Sequence, residues 1–367
     1  MCNDEHVKFV NTSNLAKLNW GKNKMKPKNL KKAVLWEPAA DKKVRCNLCN
    51  FRCLISDDNT GHCGVRKNID GVLYSLNYDK VCAANPDPIE KKPLFHFQPG
   101  SKSFSIACIG CNFRCSFCQN WQISQMTIED GQINGQAVSA QKIVDAAVQT
   151  GCKSIAYTYT EPTIFMELCS DCARLGKEHN LTNVFVSNGY MTREAIDFAK
   201  EWLDGINVDL KAFNDDYYRK LCKSRLEGVL ETIKYIAKET NIWLEITTLV
   251  VPGENDSADE LKKLADFIVS EAGADVPWHI SRFYPNYKSL DTQPTPIQTL
   301  EKAYNIGKAA GLNYIYLGNV PGSKTESTFC KSCNSLLIER VGYRIAANNT
   351  TNGRCPDCQT QIAGFKL

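Results

Sequence analysis

The chain has 367 residues, 43% of them hydrophobic and 23% charged, with a net charge of +4. Those proportions belong to an ordinary globular protein and exclude a chain too polar to bury a core. No apolar stretch approaches the roughly 20 residues that span a bilayer, and the opening Met1-Cys-Asn-Asp-Glu-His-Val-Lys lacks the apolar centre of a secretory signal, so a cytoplasmic protein with no membrane partner is expected.

In chain order, residues 1–45 read as a polar, lysine-rich lead-in, loosely ordered with one short helix. Its run from Lys22 to Lys32 and the pair Lys42–Lys43 could meet nucleic acid or an acidic partner, but such runs are usually solvated. Residues 46–99 hold a cysteine knuckle followed by a strand at Gly71-Val-Leu-Tyr-Ser-Leu. Residues 100–322 then alternate strands with helices. The strand-length runs are Ser103–Cys108, Ser154–Tyr159, Asn183–Ser187, Gly205–Asp209, Trp243–Leu249 and Trp278–Ser281. Several are apolar throughout, as strands covered on both faces are. One intervening helix follows a capping box, Ser257 with Glu260, and presents Leu261, Leu264, Ala265 and Ile268 on one face. Another opens at Thr295-Pro296 and stops at Gly311. Six such units predict an α/β fold: a (β/α)6-type parallel sheet, rolled into a full or partial barrel or left open. Functional residues are then sought at the carboxyl ends of the strands. Residues 323–367 read as a small cysteine module.

Eleven of the 18 cysteines fall into three tight clusters, a pattern of metal ligands rather than of disulfides. Cys111-Asn-Phe-Arg-Cys115-Ser-Phe-Cys118 follows the first core strand, in a loop marked by Gly110. Three thiolates can hold a cubane with one iron open to a substrate or cofactor, whereas four would close it. Cys108 is the nearby candidate for a fourth ligand, to iron or to structural zinc; it ends a buried strand, where a cysteine is commonly packing.

This spacing, with Phe117 before the last cysteine, resembles the signature of the radical S-adenosylmethionine (SAM) superfamily. Gly110 to Trp121, with Asp87–Phe97, Tyr157–Pro162, Ser187–Tyr190, Val208–Lys211 and Pro277–Phe283, is similar to the radical component of the AmmeMemoRadiSam system and to pyruvate formate-lyase activating enzymes. The resemblance implies a 4Fe–4S cluster on Cys111, Cys115 and Cys118, reductive cleavage of SAM to a 5′-deoxyadenosyl radical, and an external electron donor. It implies cofactor contacts from Phe117, Glu161, Asn188, Asp209, Lys211 and His279. Glu161 stands where the superfamily's Gly-Gly-Glu block meets the methionine ammonium, although Tyr159-Thr160 replace the glycines; its plainer role is a carboxylate at a helix start. Asn188 matches the activating enzymes' Asn-Gly, but Val186 replaces their aspartate two positions earlier. Asp209 and Lys211 match their Asp-Leu-Lys, the plainer reading being a surface ion pair, and His279 could equally be a satisfied core histidine.

Cys330, Cys333, Cys355 and Cys358 form two knuckles around a hairpin of Leu336–Arg340 and Tyr343–Ala347, which predicts a zinc ribbon for structure or partner docking. Nucleic-acid binding is not expected, since a dense basic and aromatic face is missing. Cys46, Cys49, Cys53 and Cys63 can close around zinc or a second cluster, and spacing does not separate the two. The leading function is a radical SAM enzyme acting on a protein or small molecule, with the associated AmmeMemoRadiSam families as candidate substrate or partner. The rival is a non-catalytic iron–sulfur or zinc adaptor, or an electron carrier, on the same fold.

Overall fold

The computed structural model describes residues 30–125, 133–320 and 324–367. They fall into two compact units. The first comprises the chain up to residue 87 with 102–114 and 120–203, and the second comprises 88–101, 115–119 and 204–367.

In the first unit the chain is ordered well before the knuckle. Strands β1 (Lys31–Lys32), β2 (Trp36–Pro38) and β3 (Val44–Cys46) replace the loose lead-in expected up to residue 45; the short helix expected in that lead-in does not occur among its described residues, 30–45, and residues 1–29 lie outside the described residues. Ala33 and Val44 are buried, so even this polar stretch has apolar residues to fix it. β2, β3 and β4 (Leu54–Ile55) form an antiparallel sheet that carries Cys46 at its edge of the knuckle. β1 also pairs with β6 (Val72–Ser75), which pairs with β5 (Arg66–Ile69).

The same unit holds β7 (Lys80–Pro88), β8 (Lys102–Cys108), β9 (Gln136–Ala137), β10 (Ser154–Tyr157) and β11 (Thr182–Ser187), in the order β9–β7–β8–β10–β11. β8, β10 and β11 are parallel and almost wholly buried. A short helix α1 (Trp121–Ser124) follows the cysteine loop. Helix α2 (Ala140–Gln149) starts where the Ser139 hydroxyl accepts the Lys142 N–H at 3.3 Å, and packs on β8 and β10. Helix α3 (Met166–Gly176) packs on β11, and α4 (Arg193–Ala199) follows it.

In the second unit β12 (Gly205–Asp209), β13 (Trp243–Val250), β14 (Trp278–Arg282) and β15 (Ile315–Gly318) run parallel in that order. Helices α5 (Leu226–Glu239), α6 (Ala258–Phe267) and α7 (Ile297–Ala310) connect them. Only half of the expected capping box forms. Ser257 Oγ accepts the Glu260 N–H at 3.3 Å, but the Glu260 carboxylate turns to the Phe213 N–H at 2.9 Å. Gly311 ends α7 at φ 103°, a conformation that costs glycine little.

Neither β9 nor β15 has a second strand partner among the described residues, so the strands stay open instead of closing a full barrel. The last segment is the antiparallel sheet β16 (Thr328–Phe329), β17 (Leu336–Val341) and β18 (Arg344–Asn348), its hairpin one residue later than the sequence pattern places it.

Candidate active site

Strand β8 delivers the chain into the cysteine loop. Gly110, at φ 104°, makes the turn out of the strand. Cys108 itself is buried, with Cys82 and Cys172 as electrostatic neighbours. Cys111 is buried and its Sγ accepts the Phe113 N–H at 3.3 Å. Asn188, just past the end of β11, points its amide at the same sulfur (3.9 Å) and donates to Asn112 Oδ1 at 2.7 Å. Thus the first unit brings two sequence-predicted residues, Cys111 and Asn188, together.

Glu161 sits behind Asn188. Its Oε1 accepts from Thr163 N (3.1 Å), Thr163 Oγ1 (2.5 Å) and Ser187 Oγ (2.8 Å), while Oε2 accepts the Asn188 N–H at 2.8 Å. It also caps the short helix of Pro162–Phe165. Burial raises its pKa above the ordinary carboxylate value, against the pull of these donors. With both oxygens engaged, its observed geometry is that of a residue that holds the Asn188 backbone. The sequence pattern missed Thr163 and Ser187, whose hydroxyls carry no motif of their own.

The second unit carries the other half of the loop. Cys115 is buried and hydrogen-bonded to the thiol of Cys222, a residue the sequence left among scattered packing cysteines. Ser116 is pinned on both sides, its N–H to Leu221 O at 3.0 Å and its carbonyl to Lys288 N at 2.9 Å. Phe117 packs on Tyr217 with ring centres 5.9 Å apart. Cys118, half-buried, donates its N–H to Cys115 O at 3.3 Å.

Asp209, the last residue of β12, pairs with Lys211 at 2.8 Å. The lysine side chain is only 13% exposed, so this is no surface pair. Burial alone would lower the Lys211 pKa, but Asp209, Cys115 and Cys222 outweigh it and hold the ammonium well above its ordinary range. Lys211 is anchored by its backbone, N–H to Tyr218 OH (3.0 Å) and carbonyl to Asn255 Nδ2 (2.6 Å).

His279 is level with Asp209 in the sheet, two strands across, since both pair in register with Thr247. It is the second residue of β14, at the amino end, where Nε2 meets Glu245 Oε2 at 2.6 Å and the ring stacks on Tyr316 (5.3 Å) and edges Phe95 (4.8 Å). Glu245 also accepts the N–H groups of Phe95 (2.9 Å) and His96 (2.7 Å). Here the side chain is buried and its Nε2 is engaged by Glu245.

The network continues into the C-terminal module. His96 Nε2 meets Tyr316 OH at 2.6 Å, Tyr316 OH meets Thr328 Oγ1 at 2.8 Å, and buried Arg340 donates to Thr328 Oγ1 and Phe95 O, both at 2.7 Å. Beyond it the sulfurs of Cys330, Cys333, Cys355 and Cys358 lie within 4.8 Å of one another, with 3.5 Å from Cys330 to Cys358 and 3.6 Å from Cys333 to Cys355. Tetrahedral zinc, with Zn–S near 2.3 Å, sets its sulfurs about 3.8 Å apart, so this group could hold zinc. Thr360 draws the Cys358 thiol down to about 6, toward the thiolate a metal takes.

The Radical SAM superfamily profile matches residues 106–268. This chain belongs to the radical SAM superfamily. It is 44% identical over 335 residues to the uncharacterized protein MJ0808 of Methanocaldococcus jannaschii, covering 91% of this chain and 99% of that one. It is 27% identical over 167 residues to the pyruvate formate-lyase 1-activating enzyme of Escherichia coli, covering 43% of this chain and 65% of that one. Among solved structures it resembles a domain of pyruvate-formate lyase-activating enzyme from Bacteroides vulgatus, at 17% identity and a TM-score of 0.40, covering 45% of this chain and 99% of that one. Membership of the superfamily implies a 4Fe–4S cluster and SAM. The donors present fit such a cluster: three soft thiols in eight residues, an N–H on the Cys111 sulfur, and a buried Asn112 Nδ2 with no partner among the described residues. No helix among the described residues is long and apolar enough to cross a membrane.

Proposed function

We propose that this chain is a radical SAM enzyme that abstracts hydrogen from a protein substrate, as an activating enzyme does. The observation that carries the reading is the three-thiol loop directly after buried strand β8, with Asn188 aimed at Cys111. Cys111, Cys115 and Cys118 hold the cluster, which when reduced supplies the electron that cleaves SAM to a 5′-deoxyadenosyl radical. Phe117, Asn188, Asp209 and Lys211 line the cofactor, the Lys211 ammonium offering a partner for a carboxylate. Glu161 positions Asn188, because its own oxygens are already occupied. Similarity to the pyruvate formate-lyase 1-activating enzyme supports a protein substrate, for which the partners associated with the AmmeMemoRadiSam system are candidates.

The test is anaerobic reconstitution, reduction and quantification of 5′-deoxyadenosine. Wild type should form it, and Cys115→Ala should form none; a well-formed cluster that yields no product would favour the electron-carrier reading instead. Deuterium carried from a labelled partner protein into deoxyadenosine would identify the substrate. The Cys115–Cys222 contact favours one second reading, a cluster closed by Cys222 as fourth ligand. Cys222→Ala with its iron and product intact excludes that reading.

A further inference from the structure

The knuckle cysteines are unused by the proposed chemistry, yet they converge. Cys46, Cys49, Cys53 and Cys63 line one cavity with Leu48 and Ile164. Arg66 lines it as well, 1% exposed, with one guanidinium nitrogen on Glu167 at 2.9 Å and its Nε buried without a partner among the described residues. Glu167 already balances the guanidinium charge, and the spare N–H suits a sulfur-rich centre as a donor to sulfur. Among the described residues, the close sulfur spacing of a single zinc ion occurs at Cys330–Cys358, and the knuckle sulfurs do not gather to it. Four soft thiols around one cavity can cap every iron of a cubane.

The cavity also adjoins the radical-cluster loop within the same unit. The carbonyl of His62, next to Cys63, accepts from the Arg114 guanidinium, which donates in turn to Cys111 O at 2.7 Å. Tyr190 bridges the two segments, its ring 5.0 Å from Phe51 and 5.3 Å from Phe113, and its carbonyl takes the Asn50 N–H at 3.0 Å.

We propose that Cys46, Cys49, Cys53 and Cys63 hold a second iron–sulfur cluster, capped by all four thiolates, that passes single electrons toward Cys111. The passing of electrons rests on the function proposed above. One electron enters from a low-potential one-electron donor and one leaves, with no bond made and no proton moved.

The test counts metals on the full chain, reconstituted anaerobically. Wild type should hold about eight irons with matching sulfide, and zinc only at the C-terminal module. The Cys111→Ala/Cys115→Ala/Cys118→Ala variant should keep about four irons, with a reduced-state EPR signal that added SAM does not change. Cys46→Ser/Cys49→Ser should lose those irons, and reduced flavodoxin should no longer reduce its remaining cluster although dithionite does. A triple variant without iron, or with a second zinc in its place, overturns the site, whether or not the double variant folds. Unimpaired reduction by flavodoxin overturns the relay. Failure of wild type to form deoxyadenosine would sink the radical reading and leave this count untouched.

Discussion

Removing the Glu161 carboxylate should destabilise the fold before it touches any cofactor. The residue is fully buried and takes four donors: two from Thr163, one from Ser187 and one from Asn188. In Glu161→Ala the two hydroxyls can turn elsewhere, but the N–H groups of Thr163 and Asn188 are left buried and unpaired. At about 1–3 kcal/mol each, the cost is about 4 kcal/mol. Glu161→Gln keeps an acceptor for the three donors on Oε1 and faces its new NH2 toward the Asn188 N–H, so one bond is lost, at about 2 kcal/mol. Urea unfolding followed by tryptophan fluorescence measures both. If both variants lie within about 0.5 kcal/mol of wild type, as ordinary surface changes do, the positioning role is wrong. A Glu161→Gln chain of normal stability that makes no deoxyadenosine would restore the direct contact implied by the sequence resemblance.

Two further outcomes follow from the second unit. Burial holds the His96 imidazole down to about 4, against the pull of Glu245 and with Arg340 and His279 also nearby. The unfolded histidine takes its proton near 6.5, so between those values the unfolded state binds more protons and stability falls as pH falls, by about 3 kcal/mol in all. His96→Gln should flatten that part of the wild-type stability–pH curve; parallel curves would remove His96 from the account. Chelating zinc, or Cys355→Ala, should expose chain between residues 330 and 358 to protease while Leu337 and Ile338 stay packed with Phe95 and Tyr316. An identical cleavage map with and without chelator would show that the four thiols need no metal.

Much of the core was legible because its signals are local. Gly205–Asp209 matches the observed strand, and the other five core strands differ from the sequence reading by one or two residues at an end. β15 escaped notice because Ile315–Gly318 is only four residues long, and β7 because Asn85, Pro86 and Asp87 read as turn formers. The cysteine loop was equally plain, since its ligands lie within eight residues. What the sequence could not show was distance. Cys222 reaches Cys115 across more than a hundred residues of chain, and the Glu161 donors come from two separate segments. His279 could be placed near the start of its strand, but its Glu245 partner, 34 residues away, could not be read.

Tyr159 shows how the turn before Glu161 holds a non-glycine residue in a left-handed conformation. Its φ is 67°, left-handed, which costs a non-glycine residue about 1–2 kcal/mol. The tyrosine offsets this with a hydroxyl bond to Asp87 Oδ2 at 2.5 Å, a contact glycine cannot make. Its carbonyl accepts from Asn120 Nδ2 at 2.9 Å, and Thr160 Oγ1 reaches Cys108 O at 2.7 Å, so the turn is tied to both sides of the cysteine loop. Tyr159→Phe keeps the strain and removes the charged acceptor's bond, and should lower stability by about 2 kcal/mol. Tyr159→Gly gives up the same bond but relieves the strain, so in urea unfolding it should fall less far than its lost side chain suggests. If Tyr159→Phe is as stable as wild type, the hydroxyl is not what holds the turn, and the backbone must be fixed by Asn120 and Thr160 alone.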